Sequence, residues 1–300
     1  MLRFLPGPLH GAIIMLLFMF NTICWATLVY AAVLLKLFTP KGSGLRDRVS
    51  RLVSWLAQHW AAVNTWLCKL FMKPITWDIR MDAPVDPQGQ YLVCANHQTW
   101  NDIFVLMVAF GRDAPFFKFF LKQELIWVPV LGLAWWGLDF PFMKRYTREQ
   151  IEKNPALKGK DKETTRKACA AFANQPALIL NFLEGTRFTA AKHERQQSPY
   201  VYLLKPKAGG FAFAVSALGE RLNGLLDVTI TYPGGAVGFW EFACGKMRKV
   251  IIEVRALTLP PEFYSGDYEN DAEFRGRFQS WVAALWAEKD RRIGKLLAGA

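Results

Sequence analysis

Hydrophobic positions along the chain change their period twice. Residues 4–35 form a run of 32 without a formal charge. As a helix it would reach about 48 Å, against the roughly 30 Å that a bilayer core requires. A membrane segment is therefore predicted, with residues 11–35 as its buried part. A cleaved leader has an apolar region of only about 7–15 residues, so this segment is expected to stay attached. Lys36, Lys41, Arg46, Arg48 and Arg51 follow the run and only Arg3 precedes it, which places the remainder of the chain on the cytoplasmic side. Asn21 lies mid-segment and weakens a simple span. Next, Leu45, Val49, Leu52, Val53, Leu56, Trp60, Val63, Trp66, Leu67, Leu70 and Phe71 recur at spacings of three and four, the mark of an amphipathic helix. Two placements stay open for it, along the bilayer interface or packed against the rest of the chain, and the two helices together could form a hairpin inserted into one leaflet.

Beyond residue 75 strands alternate with helices. Trp77, Ile79 and Met81 alternate as a strand does, and residues 82–89 supply Pro and Gly punctuation before the apolar run 91–95. A helix is predicted over 102–110, strands over 116–121 and 177–183, a helix around 210–218, and strands near 226–232 and 250–257. In a terminal helix, Phe274, Phe278, Trp281 and Leu285 share one face. The fold class is α/β, a mixed β-sheet surrounded by helices and preceded by an N-terminal membrane helix pair. Residues 1–74 are assigned to the anchor and 75–300 to the second domain.

Composition narrows the classes. With 52% hydrophobic residues the chain is neither disordered nor collagenous. Its five cysteines are odd in number, scattered and without a C-x-x-C pair, so neither a disulfide framework nor a zinc site is expected. The net charge of +12 points to an anionic partner. Residues 144–207 hold 14 Lys and Arg against 6 Asp and Glu, which concentrates the excess in one stretch. A helix around 161–174 with its charges in water is the plain alternative for any single lysine there.

Candidate chemistry sits at the ends of predicted strands. The run 91–95 leads into Asn96-His97, and Asp102 follows within the turn that opens a helix. An imidazole can take a proton from an alcohol near neutral pH, and a carboxylate on its other nitrogen fixes the tautomer and stabilises the imidazolium. The chain has no G-x-S-x-G, so the hydroxyl that such a pair would activate is a substrate's own. His10, His59 and His193 fall on the apolar segment, the amphipathic helix and a basic loop, where packing or surface roles are expected. Walker A, G-x-G-x-x-G and H-E-x-x-H are all missing. No cofactor and no metal are expected. The second constellation, Glu184-Gly185-Thr186-Arg187, follows another buried strand and suits an anion clamp, with a tight turn at Gly185, donors at Thr186 and the planar fork of Arg187. Lys144 and Arg145 follow a third aromatic run.

In order, Asn96-His97 with Asp102, Lys122 through Leu125 with Pro129 and Gly132, Phe142-Met143-Lys144-Arg145, and Glu184 to Arg187 resemble the motifs of the 1-acylglycerol-3-phosphate acyltransferase family of membrane glycerolipid acyltransferases. The longer match over 182–189, continued by Lys192-His193-Glu194 and by Lys205-Pro206-Lys207 with Gly210-Phe211, is similar to the branch holding lysophosphatidic and lysocardiolipin acyltransferases. Residues 228–233 correspond to a further block, an apolar strand running into proline. The resemblance covers about residues 75–235. Thr99 stands where many members have serine, and Lys144 before Arg145 suits one branch more than another.

The resemblance implies an acyl-thioester donor, either acyl-CoA or acyl-acyl carrier protein, and a lysophospholipid acceptor whose 2-hydroxyl is acylated. In that reading His97 is the base and Asp102 its partner. Arg187, Arg145 and Lys122 bind the acceptor phosphate, Gly185 and Thr186 shape the clamp, and Glu184 orients it. No nucleic-acid partner is expected, and a bacterial inner membrane is the expected location. Two alternatives stand beside phosphatidic acid formation: another acceptor, such as lysocardiolipin or lysophosphatidylglycerol, and a membrane-tethered anion- or nucleic-acid-binding protein without catalysis.

Overall fold

Strands covered on both faces read as apolar runs with little alternation, and the central strands of this sheet are of that kind. The computed structural model describes residues 4–40, 42–82, 84–111, 114–140, 142–143, 153 and 175–300. Within these, α1 (Gly7–Leu37) and α2 (Gly44–Phe71) precede β1 (Thr76–Met81), β2 (Gln90–Ala95) and α3 (Asn101–Phe110). Then come β3 (Phe117–Phe119), β4 (Leu121–Lys122), α4 (Leu131–Gly137), β5 (Phe142–Met143) and β6 (Ala177–Phe182). The chain closes with α5 (Ala190–Gln196), α6 (Ala208–Leu218), β7 (Gly224–Thr231), α7 (Phe239–Ala243), β8 (Lys249–Leu257), α8 (Glu262–Ser265) and α9 (Ala272–Ala298). Lys144, Arg145 and the helix expected around 161–174 lie outside the described residues.

One mixed sheet runs in the order β1-β8-β7-β2-β6-β3. β3, β6, β2 and β7 are parallel neighbours, while β8 runs antiparallel to β7 and carries β1 parallel to itself at the edge. The strand predicted over 116–121 divides, because its first part joins β6 in the large sheet and its second pairs with β5 in a separate one. Alternation along β2 and β6 sorts the core. Leu92, Cys94, Ala177 and Ile179 face Phe211, Val215, Phe278 and Trp286 of α6 and α9. Val93, Ala95, Leu178 and Leu180 face Val105 and Leu106 of α3, Phe242 of α7 and Ile14 of α1. At this edge the register sets Ala95 beside both Phe182 and Val228, so the carboxyl ends of β2, β6 and β7 lie side by side. Open α/β sheets place their ligands at such an edge.

The first two helices form an antiparallel hairpin. Ser43 caps α2 by accepting from the Arg46 N–H at 3.2 Å. Inside the hairpin Asn21 finds a partner, donating to Asn64 Oδ1 at 2.9 Å. Residues Val53, Leu56, Ala57 and Leu67 of α2 are buried, while Leu45, Leu52, Trp55 and Trp66 are exposed, so the amphipathic stripe is wider than the surface that packing covers. α1 has 31 residues and is long and apolar enough to cross a membrane. Both its ends are nevertheless tied to the sheet domain. Near its start Ile14 enters the core and the His10 ring lies between the carbonyls of Ala243, at 2.8 Å, and Phe71, at 3.1 Å. Near its end Lys36 pairs with Asp139 at 2.5 Å. The His59 ring lies tilted against Trp55, 3.8 Å between centroids, and His193 meets the Tyr200 carbonyl, in keeping with the packing or surface roles expected for these histidines.

Charge also enters the core. Asp227 of β7 is fully buried against Lys289 of α9 at 2.5 Å and Arg255 of β8 at 2.6 Å. Burial pushes its carboxyl up, but the two cations outweigh that and leave it below the usual range. Removing one member of a buried ion group costs about 3–5 kcal/mol where no partner is left. Arg255 remains in the Lys289→Ala variant, so a loss near the lower figure is expected, measured as a lowered midpoint in thermal or urea unfolding. An unchanged midpoint would show that the group contributes no net stability.

Candidate active site

Past the end of β2 the side chain of Asn96 takes over the strand pairing. Its Oδ1 accepts from the Ile230 N–H at 2.8 Å and its Nδ2 donates to the Ile230 carbonyl at 2.9 Å. The backbone is then free to turn, and His97 follows at the sheet edge. The turn enters α3, whose first residues carry Asp102 back toward the imidazole. Asp102 Oδ2 lies 2.8 Å from His97 Nδ1 and also accepts from the backbone N–H groups of Gln98, at 2.6 Å, and Thr99, at 3.0 Å. Its other oxygen accepts from the Tyr232 hydroxyl at 2.7 Å. Four donors thus surround a carboxylate with no exposed surface. A carboxylate on Nδ1 assigns that nitrogen the proton and leaves Nε2 with the lone pair. Phe182 stacks under the ring at 4.0 Å between centroids, which fixes its plane.

The second constellation braces the first. Gly185 has φ of +64°, in the left-handed region where glycine is favoured, and its N–H closes a turn on the Phe182 carbonyl. That turn sends Glu184 inward. Glu184 Oε1 accepts from the His97 N–H at 2.8 Å and Oε2 from the Leu204 N–H at 2.9 Å. The Phe188 N–H donates to the His97 carbonyl at 2.7 Å, so the backbone of the candidate base is held on both sides. Glu184 is fully buried and acts on the backbone of His97. Arg187 turns the other way, its guanidinium 4.7 Å from the ring centre of Trp100, three residues beyond His97. Lys192 Nζ, from α5, donates to Thr186 Oγ1 at 2.8 Å and to the Arg187 carbonyl at 2.9 Å.

His97, Asp102, Glu184, Gly185, Thr186 and Arg187 therefore share one sheet edge. Lys122 is exposed on β4, in the separate two-stranded sheet, and Arg145 lies outside the described residues. Three participants escaped the sequence reading. Tyr232 was read only as part of an apolar strand ending in proline, Trp100 only as part of a motif, and Lys192 only as part of a longer match. The loop after β7 adds a further tie, with the Val237 carbonyl accepting from Thr99 Oγ1 at 2.6 Å and Asn101 Nδ2 at 2.8 Å.

A family model described as Acyltransferase matches residues 78–233, just over half of the chain and all of the strand ends that hold these groups. The chain belongs to the acyltransferase family. It is 31% identical over 184 residues to the mouse 1-acyl-sn-glycerol-3-phosphate acyltransferase gamma, covering 58% of this chain and 44% of that protein. It is 24% identical over 240 residues to the yeast 2-acyl-1-lysophosphatidylinositol acyltransferase, covering 65% of this chain and 58% of that one. The chain thus spans less than half the length of the mouse relative. Among solved structures, the 1-acyl-sn-glycerophosphate acyltransferase PlsC of Thermotoga maritima aligns at a TM-score of 0.51 and 18% identity, over 94% of this chain and 98% of that one. That likeness is one of fold.

Burial pushes the Glu184 carboxyl up to about 7, against the pull of the His97 and Leu204 N–H groups. An unfolded chain with the ordinary value of 4.5 releases this proton first, so the folded state binds more protons between the two values. Stability from this group therefore falls as pH rises from about 4.5 to about 7. Relative to a Glu184→Gln variant, the native chain is expected to lose on the order of 3 kcal/mol across that window. Urea unfolding of both proteins at several pH values measures the difference. A difference that stays flat with pH contradicts the assignment.

Proposed function

We propose that this protein transfers an acyl group from a thioester to the 2-hydroxyl of 1-acylglycerol 3-phosphate, giving phosphatidic acid. The observation that carries the reading is the Asp102–His97 contact at 2.8 Å on the edge that also holds Arg187. Membership of the acyltransferase family and the names of the mammalian relatives support the reaction type.

In this mechanism His97 Nε2 takes the proton of the acceptor hydroxyl as that oxygen attacks the thioester carbonyl. The resulting imidazolium is held by Asp102 through Nδ1. The tetrahedral adduct collapses, the carbon–sulfur bond breaks, and the proton passes from Nε2 to the departing thiolate. The acyl group moves directly to the alcohol, with no acyl-enzyme. Arg187 binds the acceptor phosphate, where a charge-assisted hydrogen bond contributes about 1.5–3 kcal/mol. Gly185 and Thr186 set the course of the clamp, Glu184 holds the backbone of the base, and Lys122 and Arg145 are further phosphate ligands. Acyl-CoA and acyl-acyl carrier protein are both chemically suited donors. Residues 1–74 form the membrane anchor and 75–300 the catalytic domain, and the cations after α1 favour the cytoplasmic face.

A second reading keeps the chemistry and changes the acceptor headgroup, and the name of the yeast relative favours it. Assaying the purified protein on a panel of lysophospholipids, with each thioester as donor, separates the two. Within that assay His97→Ala is expected to lower turnover by about 10²–10⁴-fold, with unfolding and membrane recovery unchanged. Near-native turnover would overturn the role of the base. Arg187→Ala is expected to raise the acceptor KM more than it lowers kcat, because the phosphate is held alike in ground and transition states. A pure kcat effect contradicts that role.

A further inference from the structure

Residues 125–138 contain no formal charge and three tryptophans, yet they lie outside the first two helices. The stretch opens in a short 3₁₀ turn over Gln123–Trp127 and continues as α4. Its apolar side chains stand out from the protein: Trp127 is 84% exposed, Leu133 59%, Trp136 46% and Val130 40%. Gly132 makes the fold-back possible, since a Cβ there would meet the Ile126 carbonyl oxygen at 2.0 Å.

The segment is also locked to the last turns of α1. A Cβ on Gly137 would lie 2.2 Å from Val33, so the two helices touch backbone to side chain. The Tyr30 hydroxyl donates to the Val130 carbonyl, and Lys36 Nζ donates to the Gly137 carbonyl at 3.1 Å while pairing with Asp139. Leu34 follows Val33 by about 100° around α1. Leu34, Leu35 and Phe38 are exposed, so the open apolar face of α1 adjoins that of α4.

We propose that residues 125–138 are a third membrane-inserted element, seated in the boundary between headgroups and acyl chains beside the end of α1. The inference rests on the proposed membrane anchoring by α1. It commits to a lipid bilayer as the occupant because the patch is continuous with the apolar face of α1 and is rich in the aromatic residue favoured at membrane interfaces. Its rigid ties to Tyr30, Val33 and Lys36 make it share whatever depth α1 takes. α1 in turn contacts the domain at both ends, a geometry suited to lying along one leaflet.

The test uses the full chain in phosphatidylcholine vesicles containing phosphatidylglycerol, with Cys24 and Cys169 replaced by serine. Single cysteines introduced by Trp127→Cys, Leu133→Cys, Leu35→Cys and Glu273→Cys carry an environment-sensitive fluorophore. Labels at 127 and 133 are expected to lose emission to a lipid-borne nitroxide as strongly as the α1 label at 35, and several-fold more than the α9 label at 273. Aqueous iodide should quench them several-fold less than 273. If 35 is quenched by lipid while 127 and 133 answer only to iodide, the inference falls. Protection of 127 and 133 from both quenchers overturns it in favour of a protein contact, and a label at 35 that lipid leaves untouched overturns it together with the anchoring it rests on. Acyl transfer to a micellar lysophospholipid by the unlabelled wild-type chain reports on the catalytic reading separately.

Discussion

A fully buried carboxylate with four hydrogen-bond donors constrains the chemistry open to this protein. Asp102 spends one oxygen on the imidazole and the backbone of its own turn, and the other on Tyr232. Two of its partners are peptide groups fixed by the chain and one is a hydroxyl delivered from the end of β7, so the carboxylate has little freedom to rotate. The proton on His97 Nδ1 is therefore assigned by the fold, and the ring presents a basic nitrogen at Nε2. Lacking a serine motif of the nucleophile-elbow type, the pair is suited to activating an alcohol brought by the substrate.

The dyad depends on the sheet as much as on its two residues. Parallel registration brings the ends of β2, β6 and β7 to one edge, and each contributes to the site: Asn96 and His97 after β2, Glu184 and Arg187 after β6, Tyr232 after β7. Glu184 accepts from the backbone of His97 while Arg187, three residues on, lies against Trp100. His97 and Arg187 are thus mechanically one unit. The same coupling extends outward, since α1 touches the core through Ile14 and reaches α4 through Val33. Under the proposed anchoring by α1, this coupling fixes the orientation of the site to the lipid surface.

Much of this was legible in the sequence because the informative residues are adjacent along the chain. His97 and Asp102 are five apart, and residues 184–187 are consecutive, so a strand followed by a turn suffices to place each set. The sheet with helices on both faces followed from apolar runs separated by polar punctuation. Long-range partners were not legible. Tyr232 is 130 residues from Asp102, and an apolar strand ending in proline gives no sign that its last hydroxyl turns inward. The expectation that Glu184 orients the clamp does not name its partner, since only the turn at Gly185 aims it at the backbone of His97. The predicted strand over 116–121 had the right composition, yet its division between two sheets depends on partner strands that local pattern does not identify. The exposed α4 carried no periodic signal, because its apolar residues surround a short helix instead of marking one face.

The most direct test of the account is the Asp102→Asn variant, which keeps the shape of the side chain and removes its charge. Turnover measured at saturating donor and acceptor is expected to fall by about 10²–10⁴-fold, with the acceptor KM little changed and the protein still folded. Turnover equal to that of the native enzyme would contradict the account, since the imidazole would then be working without the carboxylate that orients it.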